Sequence, residues 1–175
     1  MMIVFYILSA IVFLLIILVL IAPKQYDIKR HIVINKPKNE VFQYLKFIKN
    51  QDEWSPWKKK DPTMKQTFLG EDGQVGFISK WQGNKDVGMG EQEILSINEN
   101  EYIKTKLRFL KPWKSESDAY LAMESLTSGI TTVTWGFSGK NPIPFNIFML
   151  FFNMDKTVGN DFEEGLISLK QILER

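Results

Sequence analysis

The chain has no cysteine. Disulfides, thiolate nucleophiles and cysteine-based metal sites are therefore excluded, although the compartment is not fixed by that absence. Histidine occurs once, as His31, so a multi-histidine metal centre cannot be built. No calcium-type loop is present, and no metal is expected. Charge is also scarce in sum. The formal net charge is +2, which gives no strong steering toward nucleic acid. The chain lacks internal repeats and low-complexity tracts. Its glycine pairs Gly88/Gly90 and Gly159/Gly165 lack the spacing of a phosphate-binding loop, and no cofactor is expected.

What the chain does have is a long apolar run at its start. Residues 2–22, MIVFYILSAIVFLLIILVLIA, carry no charge, and Ser9 is their one clearly polar residue. In helical form they span roughly 32 Å, the thickness of a bilayer core. A cleaved signal peptide has a shorter apolar region behind a basic start and a small-residue cleavage site. Here no Lys or Arg precedes the run, and it ends Leu20-Ile21-Ala22. The run has no polar face, unlike a core helix. Residues 2–22 are therefore expected to be a retained transmembrane helix, with 23–25 a short linker and 26–175 a single folded domain. Lys24, Lys29, Arg30, Lys36 and Lys38 follow the span. By the positive-inside rule they place the domain on the cytoplasmic side of the membrane.

The remaining 150 or so residues suffice for one core. YDIKRHIVIN (26–35) reads as a strand. Pro37 suits the first turn of a helix whose apolar face is Val41, Phe42, Leu45 and Ile48. Six further strands are expected at 63–70, 75–83, 90–97, 102–110, 115–126 and 130–137. Several alternate cleanly. Ile103, Thr105, Leu107 and Phe109 face one way, against Lys104, Lys106 and Arg108. Ala119, Leu121 and Met123 oppose Glu116, Asp118 and Glu124. This alternation marks an antiparallel sheet wetted on one side. Residues 155–174 form a long helix with Val158, Phe162, Leu166, Leu169 and Leu173 in one stripe. The fold class is α+β, with a seven-stranded antiparallel sheet wrapped around this helix.

That order of elements resembles the helix-grip fold of the START-like, or SRPBCC, superfamily, and most closely its polyketide cyclase/dehydrase-type bacterial members. The residues that carry the likeness are HIVINKPKNEVFQYL (31–45), WSPWKKKDP (54–62) and WQGNKDVGMGEQEI (81–94), followed by LRFLKPW (107–113), TTVTWGFSG (131–139) and MDKTVGNDFEEGLISLKQILE (154–174). The resemblance implies an apolar cavity between sheet and helix that binds hydrophobic small molecules or lipids. Some members of the superfamily are enzymes. The apolar N-terminal run lies outside the resembling region.

Trp81, Phe109, Leu121, Met123 and Trp135 fall on the inferred concave face, and Phe162 faces them from the helix. Together they offer the wide apolar wall of a ligand site. Gln92 points inward between Glu91 and Glu93 as a polar handle, and Arg30 shares a face with Ile28, Ile32 and Ile34, where it would either meet an anionic headgroup or emerge at the sheet's end. Trp54 and Trp57 flank a Ser-Pro step before Lys58–Lys60, and both are expected to contribute to the cavity, Trp54 from beneath the loop and Trp57 nearer the rim. Phe145, Phe148 and Met149 lie in a crowded aromatic stretch that reads as a short buried helix capping one end of the barrel, a gate over the cavity or a surface that dips into lipid. No Ser/His/Asp set can be assembled, because His31 lies on the outer face. Three readings stay open: a membrane-anchored binding domain for a hydrophobic molecule or lipid, an enzyme of cyclase or dehydratase type, and a scaffold with a closed core. Beyond that ligand, the expected partner is the membrane itself, through residues 2–22.

Overall fold

The computed structural model describes residues 2–175. Helix α1 (Met2–Ile21) has no buried residue and meets the segment 145–150 near its C-terminal end. It is long and apolar enough to cross a membrane. Two bends later the chain enters strand β1 (Gln25–Ile34). Three short helices follow: α2 (Lys38–Leu45), α3 (Gln51–Trp54) and α4 (Pro56–Lys60). Pro56 supplies the break between α3 and α4 and occupies the first turn of the latter, where its missing N–H is not needed.

Strands β2 (Lys65–Leu69), β3 (Ile78–Gln82), β4 (Met89–Asn98), β5 (Tyr102–Lys111), β6 (Ser115–Thr127) and β7 (Ile130–Lys140) come next. From β3 onward each pairs antiparallel with its predecessor, and β1 joins the free edge of β7. The sheet order is β1-β7-β6-β5-β4-β3-β2. The expected third strand begins later than its hydrophobic run suggests, at Ile78. Gly76 has φ of 89°, a left-handed conformation that ends extended backbone upstream of it.

The long helix α5 (Met154–Leu173) packs across the concave face and against β1. Its apolar stripe explains the fit: Phe162, Leu166 and Leu169 are buried together with Ile28, Val133 and Trp135 of the sheet. The two glycines inside α5 each cost helix propensity, about 1 kcal/mol relative to alanine. Both are needed for close approach. A Cβ on Gly165 would sit 2.8 Å from the Trp135 ring, and one on Gly159 would overlap the Arg30 guanidinium.

Candidate functional site

The register divides the concave face into two halves. Near the β1 end and β7 start, α2 lays Val41, Phe42 and Leu45 onto the sheet, in one core with Leu121, Met123 and Val133. Toward the opposite strand ends no helix fills the space, and a cavity of about 250 Å³ remains between β3, β4, β5, β7 and α5.

Its walls are largely aromatic. Trp135 stacks on Phe162 with ring centroids 4.1 Å apart, and Trp57 meets both edge-on, at 5.5 and 6.2 Å. Trp81 and Phe109 form a second edge-to-face pair at 5.9 Å on the far wall. Phe137 bridges the two groups, 6.4 Å from Phe109 and from Phe162. Uncharged polar side chains also line the space, Ser79 and Gln92 from the inner strands and Gln51, Ser55 and Gln66 from the segments around its rim. Gln92 Nε2 donates to Thr105 Oγ1 at 3.2 Å, which fixes the amide against the sheet.

The rim is polar and tied together. Lys58 Nζ donates to Gln66 Oε1 at 3.2 Å, and Gln66 Nε2 donates to Asp52 Oδ1 at 2.9 Å. On α5, Asp161 pairs with Lys60 of α4 at 2.6 Å. Asp61 fastens the β3–β4 loop that brings Val87 to the cavity: it accepts from the Asn84 amide at 2.7 Å and from the Thr63 hydroxyl at 2.8 Å. Chiefly through the Thr63 hydroxyl bond, its carboxyl titrates below the usual aspartate range.

Of the residues singled out in the sequence, Trp57, Trp81, Gln92, Phe109, Trp135 and Phe162 lie together around this space. Four of the expectations for the cavity are corrected. Trp54 is fully buried and packs edge-on against Trp135 at 4.8 Å, behind the wall and not on it. Leu121 and Met123 are on the concave face as expected, but they lie in the half that α2 fills. Arg30 does not reach the cavity. Its Nε lies 2.6 Å from Glu163 and its Nη1 3.0 Å from Asp155, because α5 crosses β1 there and presents two carboxylates. Those bonds raise the already high Arg30 pKa further and lower that of Asp155. The gate is also corrected. Phe145, Phe148 and Met149 line no part of the cavity. Their segment (Phe145–Leu150) is a 3-10 turn packed beside the end of α1, where an open depression of about 370 Å³ includes Met149.

Among the residues missed, Ser79 was within reach, since it lies two positions before Trp81 on the same strand face. Leu107 and Phe137 belong to faces already read as inward. Asp52, Lys58, Gln66 and Asp161 had no such signal, because they meet only when α3, α4 and β2 are brought over α5.

No family model matches the chain, and no curated protein sequence matches it. Solved structures do. A Chromobacterium violaceum protein superposes with a TM-score of 0.60 at 14% identity, covering 85% of this chain and 97% of the other. The Aha1 dimer from Colwellia psychrerythraea gives 0.59 at 17%, covering 85% and 96%. A norcoclaurine synthase point mutant from Thalictrum, bound to a transition-state analogue, gives 0.61 at 8%, covering 85% and 96%. The chain has the helix-grip fold. At these identities the likeness concerns the fold alone.

Proposed function

We propose that this protein is a membrane-anchored binding domain that holds a compact hydrophobic molecule between the sheet and α5. The observation that carries the reading is the aromatic-walled cavity of about 250 Å³ with Ser79 and Gln92 inside it. A closed scaffold would have filled that space, as α2 fills the other half. The volume lies just below the ~300–1,000 Å³ of drug-sized sites. It suits a two-ring aromatic or the end of one acyl chain, and it is too small for a whole two-tailed lipid. Ser79 and Gln92 would select a molecule with one polar group among apolar surface. The bound analogue of the norcoclaurine synthase structure is a precedent for a small molecule in this fold. A catalytic reading would need a free acid or base in the cavity. The charged side chains at its rim, Asp52, Lys58 and Asp161, are each bonded to a neighbour.

In the same reading, residues 2–22 anchor the chain, 23–25 connect, and 26–175 form the binding domain. Lys24, Lys29, Lys36 and Lys38 beside the span favour the cytoplasmic side of a bacterial inner membrane. The test is calorimetric titration of the full chain in nanodiscs with naphthalene and with indole, beside empty nanodiscs. Saturable binding above the lipid background, weakened by Phe109→Ala, is expected. Titrations indistinguishable from empty nanodiscs would refute the binding reading.

A further inference from the structure

One end of the sheet gathers features that the cavity does not use. The register pairs Gln25 with Lys140, Gly139 with Ser117, Ser115 with Phe109, and Lys111 with Met89. The start of β1, the end of β7 and the β5–β6 hairpin therefore lie at the same end of the molecule, and α1 leaves from there. The segment after β7 is bound to that exit. Pro23 has no N–H to complete the last turn of α1, so the Val19 carbonyl has no intrahelical partner. The fully buried Asn146 supplies one: its Nδ2 donates to Val19 O at 2.8 Å and to Ala22 O at 3.2 Å. Asn141 holds the next two residues, donating from Nδ2 to Pro23 O at 3.1 Å and from its amide to Lys24 O at 2.9 Å.

Around this clamped exit the surface is apolar. Phe145, Phe148 and Phe151 are 63%, 61% and 81% exposed, and Trp113 at the β5–β6 tip is 76% exposed. Exposed lysines surround them: Lys24, Lys111, Lys114, Lys140 and Lys156. Of the carboxylates at this end, Asp155 and Glu116 face Arg30 and Arg108, while Asp27 and Asp86 are exposed and outnumbered by the lysines. Aromatic side chains with a lysine fringe, continuous with a helix able to span a bilayer, match the chemistry of an anionic leaflet surface.

We infer that this end of the domain docks flat on the membrane, with Phe145, Phe148, Phe151 and Trp113 inserted at the headgroup boundary and the lysines on anionic lipid phosphates. The inference rests on α1 being an anchor. Docking turns the β3–β4 and β5–β6 loops, and with them Val87 and Phe109 of the cavity wall, toward the lipid.

The absence of cysteine makes the test clean. Single substitutions Phe148→Cys, Phe151→Cys, Trp113→Cys, Leu14→Cys and Leu126→Cys are spin-labelled in the full chain and reconstituted in phosphatidylglycerol–phosphatidylcholine vesicles. Leu126 is 60% exposed at the opposite end of the sheet and serves as the aqueous control. Collision rates with oxygen and with a nickel chelate are compared. Labels at 148, 151 and 113 should show an oxygen-to-nickel ratio several-fold above that at 126. If those three match 126 while 14 is in lipid, docking is refuted and the anchor stands. If 14 is also aqueous, both fall. Labels at 148 and 151 shielded from both reagents would mean that a protein partner or a second copy covers the face, which also overturns the inference.

Discussion

The two halves of the concave face share β6, β7 and α5, yet one is solid and the other hollow. In the solid half, Leu121, Met123 and Val133 meet Val41, Phe42 and Leu45 of α2. In the hollow half, Trp81, Phe109 and Phe137 meet Trp57 and Phe162 across open space. What differs is the covering element. α2 is an amphipathic helix laid directly on the sheet, whereas α3 and α4 are single turns that reach the edge of α5 and stop. A void in this protein is thus a matter of which segment overlies the sheet, not of how apolar the sheet is.

The sharpest way to break that contrast is at the two tryptophans that straddle its boundary. Trp54→Ala removes a fully buried ring and should cost about 3–5 kcal/mol, read as a lower urea midpoint of the reconstituted chain. Its indole N–H has no hydrogen-bond partner, so Trp54→Phe should recover most of that loss. Gly165→Ala comes next. Its helix propensity favours alanine, yet the Trp135 ring is wedged between Trp54, Trp57 and Phe162 and cannot yield. A net loss of about 1–3 kcal/mol by the same measurement is expected. Trp57→Ala should act on the hollow half instead. Indole affinity should fall about tenfold, or roughly 1.4 kcal/mol, with a smaller change in unfolding midpoint than Trp54→Ala gives. Equal unfolding losses for the two would erase the distinction between core ring and wall ring.

The smallest effect concerns pH at the rim. Asp61 has a lowered folded pKa, so its contribution is present above the unfolded value near 3.9 and is lost as pH falls through the folded value. Protection of the Asn84 amide against hydrogen exchange should decline below about pH 4. Asp61→Asn should show that decline already at neutral pH.

Much of this architecture can be read from the residues because it rests on short periods. The alternation of 102–110 and 115–126 placed two strand faces correctly, and the stripe from Val158 to Leu173 placed α5 to within one residue at each end. The same periodicity puts Arg30 on the inner side, where it lies, but could not show that α5 would meet it there, because its partners are 125 and 133 residues away. Leu121 and Met123 show a second limit. Facing inward is local, whereas being under α2 depends on where a distant helix settles. The aromatic run 145–152 is conspicuous in the sequence, but its attachment to α1 through Asn146 is a contact over more than 120 residues.

Arg30 has a mechanical meaning. β1 continues from α1 through residues 22–24, and Arg30 bolts that strand to the first turns of α5. The turns beyond carry Val158, Asp161 and Phe162, one side of the cavity. The guanidinium is therefore a strut between the strand that follows α1 and the wall of the cavity: a displacement of β1 is passed to the helix that bounds that space.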